Sequence, residues 1–131
     1  MSKGNYTGAV GIGVADLQRS AAFYRDVLGM RELMTFSLPH MEEIVLGWGR
    51  KGASVVLMQY TDGSDPATTN LPIKLVMYVE DPVALTAKIR EAGFPIEREP
   101  ERVPSLGNAM IGFAKDPDGY LLELLEAPSE G

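Results

Sequence analysis

Two side chains of opposite charge pose the first chemical question in this chain. Glu123 stands alone among leucines in Tyr120-Leu-Leu-Glu-Leu-Leu-Glu126, directly after the turn sequence Asp116-Pro-Asp-Gly119. Side chains alternate along a strand, so Leu121, Glu123 and Leu125 share one face and Tyr120, Leu122 and Leu124 share the other. A carboxylate among leucines is costly unless water or a partner meets it. The strand therefore either shows Glu123 to solvent or points it into a site. Lys74 opens a second alternating run, Lys-Leu-Val-Met-Tyr-Val79. An ammonium beside a carboxylate can hydrogen-bond a ligand carbonyl and stabilise enolate charge while the carboxylate removes the adjacent proton. In that chemistry Lys74 is the electrophile and Glu123 the base. Schiff-base chemistry at Lys74 would need a neutral amine, which a neighbouring carboxylate disfavours. The sole histidine, His40, sits in Ser37-Leu-Pro-His-Met41 and reads as an exposed loop residue rather than a base or ligand.

The elements that must position Lys74 and Glu123 repeat. Residues 9 to 14, Ala-Val-Gly-Ile-Gly-Val, alternate as a strand, Asp16 caps a helix with Leu17, Ala21, Tyr24 and Leu28 on one side, and Gly29 stops it. Residues 74 to 79, Asp81-Pro82, Leu85 with Ile89, and Gly93 give the same order 64 or 65 residues later. Strand-like runs follow each helix: 31 to 37, 42 to 48 and 53 to 60, then 95 to 103, 108 to 115 and 119 to 126. The expectation is an α+β fold of two βαβββ modules, about 6 to 60 and 71 to 127, joined by a polar linker over 61 to 70 within one domain of residues 1 to 131. The offset pairs Ala9 with Lys74 and Leu57 with Glu123, and predicts that Lys74 and Glu123 point to the same interior.

Bulk properties narrow the partners. A net charge of -6 with no basic run argues against a nucleic-acid backbone. The chain has no cysteine, hence no disulfide framework and no thiolate metal site. No stretch approaches the roughly 20 apolar residues of a membrane span, and the start, Met-Ser-Lys-Gly-Asn-Tyr, has no apolar leader. These features point to a cytoplasmic, soluble protein with a small-molecule ligand and no nucleic-acid or membrane partner.

Residues 13 to 30, Gly-Val-Ala-Asp-Leu-Gln-Arg-Ser-Ala-Ala-Phe-Tyr-Arg-Asp-Val-Leu-Gly-Met, and 116 to 124, Asp-Pro-Asp-Gly-Tyr-Leu-Leu-Glu-Leu, closely resemble the vicinal oxygen chelate superfamily. That superfamily includes glyoxalase I, methylmalonyl-CoA epimerase, extradiol dioxygenases, and the fosfomycin and bleomycin resistance proteins; the wording is most similar to bacterial glyoxalase I. The resemblance implies two modules forming a cup-shaped mixed sheet around a ligand, within a homodimer. Glyoxalase-type members hold a divalent metal with His, Glu or Gln, His and Glu on the first, fourth, fifth and eighth strands. Carried over, those places fall on Ala9, Leu57, Lys74 and Glu123, so only Glu123 keeps the residue type that the family uses. Zinc in catalytic sites usually has three protein ligands, so neither a metal nor another cofactor is expected.

The resemblance leaves three readings open. The first is a metal-independent isomerase, epimerase or lyase acting beside a carbonyl through Lys74 and Glu123. The second is a bleomycin-resistance-like module that sequesters a small molecule without catalysis. The third is a metal-dependent lactoylglutathione lyase, which requires a different strand register from the one above. The ligand-binding wall is expected from Ala9, Gly11, Leu57, Gln59 and Tyr78, with Trp48, Phe36 and Met110 from flanking strands and loops. An apolar cup with a few polar groups suits a small, partly hydrophobic carbonyl compound.

Overall fold

The computed structural model describes residues 4–49, 52–66 and 71–128; residues 67–70 of the expected linker lie outside them. The chain divides into two compact units, Met1–Ala67 and Thr68–Gly131.

In the first unit β1 (Ala9–Gly13) leads to α1 (Leu17–Ala22), which widens into a π-helical turn over Phe23–Val27. Strands β2 (Arg31–Ser37), β3 (Met41–Gly47) and β4 (Ser54–Tyr60) follow. The helix starts where predicted because the Asp16 carboxylate accepts from the Arg19 N–H at 3.1 Å, satisfying a donor that has no intrahelical partner. It stops where Gly29 takes φ +84°, a left-handed conformation that costs glycine little. The predicted stripe of Leu17, Ala21, Tyr24 and Leu28 is buried, and α1 lies over β3 and β4. The sheet order is β1-β4-β3-β2, with β1 and β4 parallel and the rest antiparallel. Ile44, Leu46, Val55 and Leu57 form the helix-covered face.

The second unit repeats the plan with β5 (Lys74–Val79), α2 (Pro82–Glu91), β6 (Ile96–Val103), a 3-10 turn at Pro104–Leu106, β7 (Ala109–Lys115) and β8 (Leu121–Glu126). The Asp81 carboxylate accepts from the Ala84 N–H at 3.0 Å and Pro82 fills the first turn. Helix α2 covers β6, β7 and β8, burying Thr86 and Ile89 against Ala114, Leu122 and Leu124. Leu85, expected in that stripe, is only half-buried, and Thr86 takes the inward place. The sheet order is β5-β8-β7-β6. Each sheet thus has one face covered by its helix and, within its own unit, one face left open. No helix among the described residues is long and apolar enough to cross a membrane.

The Asp116 turn sets the register of β8. Asp116 is buried, and its Oδ1 accepts from the N–H groups of Asp118 at 3.0 Å and Tyr120 at 2.9 Å. The ladder then corrects the expected internal equivalence. Gly11 pairs with Val56 in the first sheet as Val76 pairs with Glu123 in the second, so the counterpart of Glu123 is Val56, not Leu57. The 3-10 turn lengthens the hairpin of the second unit, and an offset counted from the helix no longer holds at the last strand. A slip of one residue moves a side chain to the opposite face.

Candidate functional site

The open face of the second sheet is a grid fixed by register. Leu121 lies between Lys74 and Lys115, Glu123 between Val76 and Phe113, and Leu125 between Tyr78 and Ile111. Residues two apart on one strand share its face, so Glu123 has Val76 and Phe113 across from it and Leu121 and Leu125 before and after it. A carboxylate so placed lacks polar neighbours in its own row. Lys74 supplies one diagonally: its Nζ lies 2.8 Å from Glu123 Oε1. The two ends of the pair differ, for the Glu123 side chain keeps 13% of its surface exposed and Lys74 keeps 48%. The acid is recessed and the ammonium is reachable from solvent.

A cleft of about 750 Å³ opens beside Glu123. Tyr78, Ile111 and Leu125 line it from the same face, Leu106 from the turn after β6, and Arg102 with Glu126 from the far end. Arg102 Nη1 donates to Glu126 Oε1 at 2.7 Å and to the Asn108 carbonyl at 3.3 Å. Gly107 and Asn108 hold φ +68° and +62°, which brings the turn back so that this carbonyl meets the guanidinium. Asparagine is among the few residues besides glycine that adopt this conformation readily.

Of the residues expected from sequence, this face brings together Lys74, Glu123 and Tyr78. Others are placed elsewhere. Leu57 is fully buried beneath α1. Gln59 also turns to the helix, where its Oε1 accepts from the Leu17 N–H at 2.8 Å and completes the cap. Trp48 donates from Nε1 to the Leu28 carbonyl at 3.3 Å and so braces the end of the first helix. Met110 alternates with Ala109 and Ile111 and therefore belongs to the other face of β7. Ala9, Gly11 and Phe36 do lie on the open face of the first sheet, Phe36 through the row Phe36, Glu43 and Met58. The room expected over Gly11 is filled: a Cβ there would sit 3.2 Å from Met58 Sδ. His40 is an exposed loop residue whose carbonyl accepts from the Thr61 N–H.

Arg102, Leu106, Glu126 and Lys115 were not singled out from sequence. Arg102 hides in the charge-rich run Ile96–Val103, and its partner lies 24 residues away across two strand pairings. The repeated acid in Leu-Leu-Glu-Leu-Leu-Glu126 was the available signal for that far end.

The donor set does not fit a divalent ion. With the corrected register the four metal-ligand places are Ala9, Val56, Lys74 and Glu123. Two carry no donor atom. Lys74 presents an ammonium, which donates hydrogen bonds and accepts none, and it points at the one carboxylate. Among the described residues no group of three or more His, Cys, Asp or Glu side chains is placed to hold a metal.

Comparison with known proteins matches this geometry to a family. The family model of the Glyoxalase/Bleomycin resistance protein/Dioxygenase superfamily matches residues 7–124. A lactoylglutathione lyase of Salmonella typhimurium is 34% identical over 122 residues, covering 90% of each chain. A probable lactoylglutathione lyase of Synechocystis is 32% identical over 123 residues, covering 91% of this chain and 93% of its own. Among solved structures, the trypanothione-dependent glyoxalase I of Leishmania major superposes with a TM-score of 0.79 at 28% identity, over 94% of this chain and 87% of that one.

Proposed function

This chain belongs to the glyoxalase/bleomycin resistance protein/dioxygenase superfamily, and from that premise we propose that it binds a small, partly hydrophobic carbonyl compound and catalyses proton transfer beside the carbonyl without a metal. The observation that carries the reading is the ion pair of Lys74 with a Glu123 recessed among Val76, Phe113, Leu121 and Leu125 at the edge of a cleft. Lys74 Nζ uses one of its three N–H groups on Glu123 and offers the others to the carbonyl oxygen of the ligand. Glu123 takes the proton from the adjacent carbon. The C–H pair moves into the carbon–carbon bond, the carbonyl pair moves onto oxygen, and the resulting enolate is held by the ammonium. Return of the proton to the other face of that carbon is epimerisation, return to a neighbouring atom is isomerisation, and departure of a group from the next carbon is a lyase step. A recessed base works better than a solvated one because fewer waters must be displaced when the ligand arrives.

The relatives named lactoylglutathione lyase share the scaffold, yet their reaction is not the one this donor set favours. One ammonium stabilises a single developing oxyanion and cannot chelate the two oxygens of an enediolate, as a metal does. The chain is proposed to act as a homodimer with no nucleic-acid partner, in the cytoplasm.

The test is solvent deuterium incorporation at the carbon next to the carbonyl across a panel of aryl ketones, read by NMR. Exchange above the buffer rate that disappears in Glu123→Gln is expected. Exchange equal to buffer throughout, with ligand bound, would leave sequestration as the function, a role favoured by the mutual neutralisation of Lys74 and Glu123. Robust turnover of methylglyoxal with glutathione after addition of nickel or zinc would overturn both and restore the metal-dependent reaction.

A further inference from the structure

Glu123 lines one end of the cleft, with its partner Lys74 just outside the lining, and the cleft runs well past the acid. From Glu123 to Ala127, both of which line it, the chain advances four residues, about 13 Å at the rise of an extended strand. A ligand that reached only Lys74 and Glu123 would leave most of that length to water. Along the cleft the charges cancel locally: Glu123 is met by Lys74 and Glu126 by Arg102. Between these two balanced ends stand Leu125 and Ile111. Tyr78 on the edge strand and Leu106 on the turn are each 60% exposed, although both line the cleft and both are large and apolar.

We propose that the ligand is an uncharged, elongated aryl carbonyl compound, its ring body held by Tyr78 and Leu106 and its far end hydrogen-bonded by Arg102. The inference rests on the proton-transfer reading for the direction in which the ligand lies, with its carbonyl at Lys74. An aromatic body matches the exposed face of Tyr78, because flat rings stack with little loss of conformational freedom. Neutrality follows from the charge pattern. An anionic tail on the free N–H groups of Arg102 would share the guanidinium with Glu126 and lie beside that carboxylate, in a chain that already carries a net charge of -6. A cationic tail would face the guanidinium. A neutral acceptor meets neither cost, since the guanidinium has five N–H donors and only Nη1 is engaged by Glu126 and the Asn108 carbonyl.

The experiment uses the whole chain and the fluorescent naphthyl butanone nabumetone, a neutral ketone with an aryl ring at one end and of suitable length, beside an analogue with a carboxylate in place of its methoxy group. Fluorescence anisotropy reads binding of each without requiring turnover, so failure of the exchange reaction and failure of this inference are separate results. The expected outcome is that the neutral ketone binds at least about tenfold more tightly, a difference of about 1.4 kcal/mol. Tyr78→Ala and Leu106→Ala should each weaken it several-fold. Glu126→Gln, which leaves Arg102 unbalanced, should narrow or reverse the preference. Equal or tighter binding of the carboxylate by the unaltered protein would overturn the proposal, as would affinity unchanged in Tyr78→Ala or no binding of either probe. If Tyr78→Ala and Leu106→Ala instead weaken self-association in sedimentation, the occupant of the cleft is a second copy of the chain and the inference fails.

Discussion

Replacing Lys74 by methionine tests whether the ion pair is the organising feature of the site. At 2.8 Å the attraction between Nζ and Glu123 Oε1 is roughly 6 kcal/mol for an effective dielectric near 20. That gross figure overstates the effect. Lys74 keeps nearly half its side-chain surface in water, and exposed pairs measure only about 0.2–1 kcal/mol. The larger consequence falls on Glu123, which would remain recessed among Val76, Phe113, Leu121 and Leu125 with the Lys74 ammonium gone. Stranding a buried polar group costs about 1–3 kcal/mol. Glu123 is recessed rather than sealed, so Lys74→Met should lose about 1–2 kcal/mol, at the lower part of that range. Glu123→Leu alone leaves a half-exposed ammonium that water can serve, and should cost less than about 0.5 kcal/mol or even stabilise. The double variant should recover most of the loss, giving a coupling of about 1 kcal/mol. Urea unfolding followed by circular dichroism measures all four corners of the cycle, each Lys74→Met effect appearing as a midpoint shift of about 0.5–1 M for ordinary slopes. Additive losses would show that the two side chains do not meet. A Lys74→Met protein as stable as the parent would show that Glu123 is already well solvated and that the recessed-base argument is wrong.

Three further outcomes are expected. Thr86 Oγ1, on the buried side of α2, has no hydrogen-bond partner among the described residues, so Thr86→Val should raise the urea midpoint by an amount worth about 0.5–1.5 kcal/mol; a loss of stability would reveal a partner for the hydroxyl. Gly112→Ala would place its Cβ 2.9 Å from Pro100 Cγ and 3.1 Å from the Pro100 backbone, and should destabilise by about 1–3 kcal/mol as strands β6 and β7 are pushed apart. The Asp62 carboxyl sits below its ordinary value because the Ser64 hydroxyl and then the Ser64 N–H donate to its charged form. A carboxyl lowered in the folded state adds stability above its unfolded value that is lost as pH falls through the folded one. In NMR titration Asp62 should therefore move upward in Ser64→Ala, and no movement would assign the shift to another group.

The elements of this fold were legible because each is announced by local chemistry. Asp16 and Asp81 each satisfy the N–H three residues on, and Gly29 and Gly93 take left-handed conformations where the helices end. These signals lie within a few residues of what they control. The pair Lys74 and Glu123 was legible for a related reason: each lies in an alternating run of the second module expected to face the same interior, and the ladder then makes their strands neighbours.

What stayed hidden depended on counting across loops. Treating the halves as copies at a fixed offset gave Leu57 as the counterpart of Glu123, whereas the ladder gives Val56. Composition could not reveal the slip, since Val55, Val56 and Leu57 are all apolar and any register buries something suitable. Gln59 shows why polar residues in such a strand mislead: an amide there suits a ligand wall, but its oxygen instead accepts from the Leu17 N–H, which has no intrahelical partner. The same limit concealed the far end of the cleft. Arg102 and Glu126 meet because β7 lies between their strands and pairs with both, a relation that the lengths of the two intervening connections must fix together. A site built from one strand pair can be read from sequence; one that spans three strands requires the register.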